Sequence, residues 1–163
     1  MRILIATMQR VPYAAMAVWG LSLAATILFF EIKMGLLAPL SGFGQQVLTG
    51  CLLLGLLGYQ WVLFAKRVRK DNSHMRQNLT IHRWVGVAAT FVFALHAVRF
   101  GHVWMTGVST VFFFIAVTGV FNRTVLGYRK NWMYLVWLFS HIGLSAALFP
   151  LVGVHIWVAL AYQ

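Results

Sequence analysis

The chain has 163 residues, 61% of them hydrophobic, and only two acids, Glu31 and Asp71, against thirteen Lys and Arg. Charged residues make up 9% of it, against about 25% in an ordinary soluble domain, and no water-soluble fold can hide that much apolar side chain. A soluble enzyme and a disordered chain are both excluded. Cys51 is the only cysteine, which excludes a disulfide framework and any multi-cysteine metal site. The net charge of +11 does not point to nucleic acid, because the basic residues lie between apolar blocks rather than on one soluble face.

A spanning helix needs about 20 mostly apolar residues to cross a hydrocarbon core of about 30 Å. Five segments qualify, at roughly 11–30, 47–65, 81–101, 106–123 and 132–160. The first follows Arg2 and Arg10 like a signal peptide, but its apolar run is as long as a span, and no convincing small-residue cleavage site precedes a polar domain. The connector Glu31–Gln46, with Pro39, Gly42 and Gly44, separates it from the second. The fifth is long, and Pro150 within it is expected to kink the helix or free a carbonyl. Only helices satisfy their own backbone in lipid at this length. The expected fold is therefore all-α, an integral membrane helical bundle of about five transmembrane helices forming a single domain over 1–163, without internal repeats.

Orientation follows from the cations. With the N-terminus inside, one side receives Arg2, Arg10, Lys66, Arg67, Arg69, Lys70, Arg76, Arg83, Arg123, Arg129 and Lys130, and the other only Lys33 and Arg99. That asymmetry is a positive-inside pattern, which places the N-terminus inside and the C-terminus outside. The basic stretch Lys66–Arg76 reads first as this topological anchor, with an acidic partner or anionic lipid second. The Asn-x-Thr sequons at Asn78 and Asn122 fall on the inner side.

Four of the six histidines lie in two segments: His82 and His96 in the third, His141 and His155 in the fifth. Both pairs read His-x13-His. At about 100° per residue, fourteen steps fall about 40° short of four full turns, so each pair lies near one helix face, about 21 Å apart along the axis. Two imidazoles that far apart cannot share one metal ion, whose bonds to nitrogen are about 2 Å. Each helix instead offers one ligand per leaflet. Both segments run from inside to outside, so His82 is level with His141 near the inner side, and His96 with His155 near the outer side. Opposed imidazoles with a porphyrin between them make a six-coordinate bis-histidine haem, suited to electron transfer because no iron position is left open.

The intervals agree with this. Between the paired histidines there is no acid, and Arg83 is the only base. Gly86 and Ala89 follow His82 on the ligand face, where small residues give a flat porphyrin room near the backbone. Gly143 and Gly153 each sit two residues from a ligand. Arg83 and Arg76 inside, and Arg99 and His102 outside, are candidates for the propionates, and His102 could equally meet a partner. A single intramembrane histidine is often only an interhelical hydrogen-bond donor, and His74, in a connector, is read as structural. The same spacing occurring twice favours a ligand role for the other four.

The run Met75-Arg-Gln-Asn-Leu-Thr-Ile-His82-Arg-Trp-Val-Gly86, followed by Leu95-His96, resembles the third helix of the ferric reductase-like transmembrane domain. That superfamily includes NADPH oxidases, ferric reductases and the haem subunit that supports bacterial periplasmic methionine sulfoxide reduction. The resemblance covers roughly residues 47–163. It implies two b haems, one ligated by His82 and His141 and the other by His96 and His155. Many members have a sixth helix, whereas this chain stops just after its fifth. Oxidases and eukaryotic reductases carry a cytosolic flavin and nicotinamide domain, and no Gly-rich dinucleotide fingerprint occurs here.

The expected function is a di-haem b-type cytochrome subunit, the electron-transfer part of a membrane oxidoreductase rather than a complete enzyme, in a bacterial inner membrane. Its donor would be an inner partner subunit, a soluble flavoprotein or a quinol, and its acceptor would lie outside. Glu31 is the only acid placed near the outer side, and none lies mid-membrane, which argues against a carboxylate proton pump. The alternatives are a quinone- or ascorbate-linked cytochrome b of another family and a non-redox membrane scaffold subunit. A copper carrier lined by methionine and histidine is weaker, since Met8 and Met16 read as ordinary core filler.

Overall fold

The structure, a computed structural model, describes residues 11–30, 42–71, 73–97, 103–128 and 130–161, except for the side chains of 28–30, 103, 104 and 123. Regular structure among them is entirely helical. The long helices are α1 (Pro12–Phe30), α2 (Phe43–Val68), α3 (Met75–His96), α4 (Val103–Val120) and α5 (Asn131–Ala161), with a single further turn at Arg123–Leu126. Three of them, α2, α3 and α5, are long and apolar enough to cross a membrane. Over the residues with described side chains, α1 and α4 are apolar but shorter, at Pro12–Ile27 and Met105–Val120. Arg2, Arg10, Glu31, Lys33, Arg99, His102 and Arg129 lie outside the described residues.

The helix α3 starts at Met75, six residues before the apolar run does. Arg76, Gln77 and Asn78 add no hydropathy, but Met, Arg and Gln are good helix formers, so the helix continues past the apolar stretch. The turn before it is held by its own polar groups. Lys70 and His74 adopt positive φ, 56° and 54°, and His74 occupies the N-cap position of α3, its carbonyl accepting from the Asn78 N–H at 2.9 Å. Asp71 Oδ1 accepts from the Ser73 amide at 2.9 Å and the Ser73 hydroxyl at 2.5 Å. Lys66 Nζ donates to Asn78 Oδ1 at 3.2 Å, tying α2 to α3.

The described chain divides into two compact units, Met1–Arg99 and Phe100–Gln163. In the first, α1 and α2 both pack on α3. On α1, Ala14, Ala17, Leu21 and Ala24 are buried along one face, and α3 with its C-cap buries Ala89, Ala94 and Ala97. At Gly20 a β-carbon would collide with Thr90, so this crossing depends on the missing side chain. Small residues let helices approach in lipid, where packing rather than water expulsion drives association. Arg83 lies 4.8 Å over the Tyr13 ring, a cation–π contact from α3 to α1.

In the second unit α4 packs on α5. A helix leaves its last carbonyls without helical donors, and here each of the last four in α4 finds one. Val117 receives the Phe121 amide at 3.1 Å, Thr118 receives Trp137 Nε1 at 2.7 Å, and Gly119 and Val120 receive Asn122 Nδ2 at 3.0 and 3.3 Å. The helix α5 runs on through Pro150, which has no N–H to give the Ala146 carbonyl. Phe139 and Leu160 on α5 are 69% and 63% exposed, a state that suits lipid and not water.

Candidate functional site

The four singled-out histidines are shared between the units, His82 and His96 on α3 in the first, His141 and His155 on α5 in the second. All four are half-buried. Among the described residues no group of three or more His, Cys, Asp or Glu side chains comes together.

His96 is held from α2. The Thr49 hydroxyl lies 3.1 Å from His96 Nδ1 and donates to the Gln45 carbonyl at 2.8 Å, with the Gln46 carbonyl at 3.2 Å. The next residue, Gly50, supplies space: a β-carbon there would stand 3.1 Å from His96 Cε1 and 3.6 Å from Nδ1.

His141 is held from α4 in the same way. The Thr118 hydroxyl lies 3.0 Å from His141 Nδ1 and donates to the Ile115 carbonyl at 2.8 Å. Gly119 follows, and its β-carbon would lie 3.5 Å from His141 Cε1. Trp137, one turn before His141, has its ring nearly parallel to the imidazole, at 8° with centroids 6.0 Å apart. Its indole nitrogen donates to the Thr118 carbonyl, so one threonine anchors both side chains.

His82 is contacted through its backbone. Gln60 Nε2 donates to the His82 carbonyl at 3.1 Å, and Gln60 Oε1 is buried with no hydrogen-bond partner among the described residues. The expected clearance at Gly86 faces this same amide, since a β-carbon there would lie 3.3 Å from Gln60 Nε2. Gly143 and Gly153 have nothing within 4 Å of where a β-carbon would be. Arg83 is half-buried on the Tyr13 ring and Arg76 is exposed, whereas Arg99 and His102 fall outside the described residues.

Comparison with protein-family models, with curated proteins and with solved structures finds no match. The chemistry must therefore be argued from the side chains. Metal-ligating histidines are usually fixed through the ring nitrogen that does not meet the metal, and His96 and His141 are each held at Nδ1. Thr49, Gly50, Thr118, Gly119 and Trp137 were not singled out in the sequence. Thr49-Gly50 and Thr118-Gly119 share a Thr-Gly dipeptide, but Thr106-Gly107 of α4 carries it too, so the dipeptide alone does not mark the site.

Proposed function

We propose that the chain is a di-haem b-type cytochrome subunit that carries single electrons across a membrane, with His82 and His141 as ligands of the inner haem and His96 and His155 as ligands of the outer. The observation that carries this reading is the repeated His-x13-His on two apolar helices of spanning length, α3 and α5. The donor set fits the group. A bis-histidine haem needs two imidazoles and no third protein ligand, and at His96 and His141 the ring nitrogen not needed for iron is already taken by a threonine.

When bound, the haems supply one-electron redox chemistry, tuned by their axial ligands and burial. The protein's residues do the rest. His82, His96, His141 and His155 provide nitrogen donors, and the apolar side chains between them exclude water. Arg83, with its guanidinium anchored on Tyr13, provides positive charge at the inner edge for a propionate, and Arg99 does so at the outer edge. In this reading all five long helices span, with the N-terminus inside and the C-terminus outside, as the cations dictate. The setting is a bacterial inner membrane, and the domain is of the ferric reductase-like kind. An inner partner subunit, a flavoprotein or a quinol supplies the electrons, and an outer acceptor takes them.

The test is haem per polypeptide, by pyridine-complex absorbance on detergent-purified protein expressed with ample haem. Two b haems with a six-coordinate low-spin spectrum are expected. Colourless protein would overturn the reading and leave a membrane scaffold.

A further inference from the structure

Among the described residues, six threonine hydroxyls in these helices bond a carbonyl three or four residues back in their own helix. Four of them, Thr26, Thr80, Thr90 and Thr110, make no further hydrogen bond among the described residues. Among the described residues Thr49 and Thr118 alone reach a histidine on another helix as well, each at Nδ1 and each followed by a glycine that makes room for the ring. The contacts link residues 47 and 23 positions apart, so neither is a by-product of local helix geometry.

We propose that Thr49 and Thr118 are positioning residues that hold His96 and His141 as Nδ1–H tautomers with Nε2 left for iron, one such ring in each haem site. The proposal rests on the two-haem reading above.

Counting bonds gives the tautomer. A hydroxyl has one proton and two lone pairs. If Thr49 spends its proton on the Gln45 carbonyl, its oxygen accepts from His96 Nδ1–H and two hydrogen bonds form. If it turns the proton to Nδ1 instead, the carbonyl bond is lost and only one forms. In an apolar interior an unmade bond is expensive, so the first arrangement wins. The same count holds for Thr118, the Ile115 carbonyl and His141. With Nδ1 protonated, the lone pair is on Nε2.

The two held rings fall in different haems, His96 in the outer and His141 in the inner. An acceptor on Nδ1–H raises the basicity of the ligand. A more basic ligand favours the ferric state, so each threonine lowers the potential of its own haem.

The test uses the full chain in detergent, with Thr49→Val and Thr118→Val to remove the hydroxyl while keeping the branched shape, and Thr→Ser at each position to restore it. A redox titration should show one haem of Thr49→Val moved to a higher midpoint, with about a tenfold change in its oxidised-to-reduced ratio at fixed potential, about 59 mV for one electron. That haem should be the one lost in His96→Ala. Thr118→Val should move the other haem, and the serine variants should return both. Two haems with both midpoints unmoved, or the same haem moved by both variants, would overturn the positioning role and leave the two-haem reading standing. Absence of haem from the unaltered protein would overturn that reading instead. Nitrogen-15 NMR of labelled histidine in haem-free protein reads the tautomer directly. Nδ1–H at His96 and His141 is expected, and Nε2–H there would overturn the proposal whatever the haem content.

Discussion

Placing alanine at Gly50 and at Gly119 perturbs the same local design at two different clearances. The new β-carbon would lie 3.1 Å from His96 Cε1 in the first case and 3.5 Å from His141 Cε1 in the second, a difference of 0.4 Å (3.5 − 3.1). Carbon atoms pack best at about 3.5–4.0 Å, so only the Gly50 variant forces a ring to move. Both variants gain about 0.5–1 kcal/mol from replacing glycine inside a helix, and this gain cancels when they are compared with each other. Overpacking a tight site costs about 1–3 kcal/mol. Gly50→Ala is therefore expected to be less stable than Gly119→Ala by about 1–3 kcal/mol, and Gly119→Ala to equal or exceed the unaltered protein. The displaced imidazole also strains a hydrogen bond that already stands at 3.1 Å, near the long end for nitrogen and oxygen. Thermal unfolding of both variants in one detergent, followed by tryptophan fluorescence, gives the comparison. A Gly50→Ala protein that melts at or above Gly119→Ala would refute the reasoning, because the glycine would then not be there to admit the ring.

Single alanine substitutions of the four histidines should group in pairs by haem spectrum, His82 with His141 and His96 with His155. Survival of both haems in His155→Ala would break the assignment on α5. Trp137→Phe removes the donor to the Thr118 carbonyl, which is expected to lower stability by about 1 kcal/mol in a detergent melt; an unchanged melt would show the contact to be idle. In the α2–α3 turn, the Ser73 hydroxyl and amide, with smaller help from Lys66 and His74, hold the Asp71 carboxyl below the usual aspartate value. Asp71 accordingly favours the turn fully above that usual value, and the contribution disappears as pH falls through the lowered one. In a carboxyl carbon-13 NMR titration, Ser73→Ala should raise the Asp71 midpoint, and an unmoved midpoint would exclude Ser73 as the cause.

Hydropathy located the long helices because spanning length and apolar content are properties of a continuous run. It missed the first six residues of α3, where Arg76, Gln77 and Asn78 extend a helix with no apolar signal. The histidines were visible because their spacing is a one-dimensional pattern that a helix turns into a face. Their supports were not, since Thr49 lies 47 residues from His96 and Thr118 lies 23 from His141, and threonine and glycine are ordinary packing residues in apolar helices. Gly86 illustrates the same limit. Its place in the sequence predicts clearance, and only the fold shows that Gln60 of α2 is the group admitted there.

Asn122 is the acceptor position of an Asn-x-Thr sequon, yet it is 6% exposed, and its amide nitrogen serves the Gly119 and Val120 carbonyls while its oxygen takes the Thr124 amide at 2.9 Å. A glycan is attached through that same nitrogen, so adding a sugar would mean dismantling the end of α4. Modification of Asn122 would therefore report on the folding order of the second unit rather than on which side of a membrane it faces. Sidedness is better mapped with an acceptor sequence engineered where the side chain is exposed and no helix end depends on it.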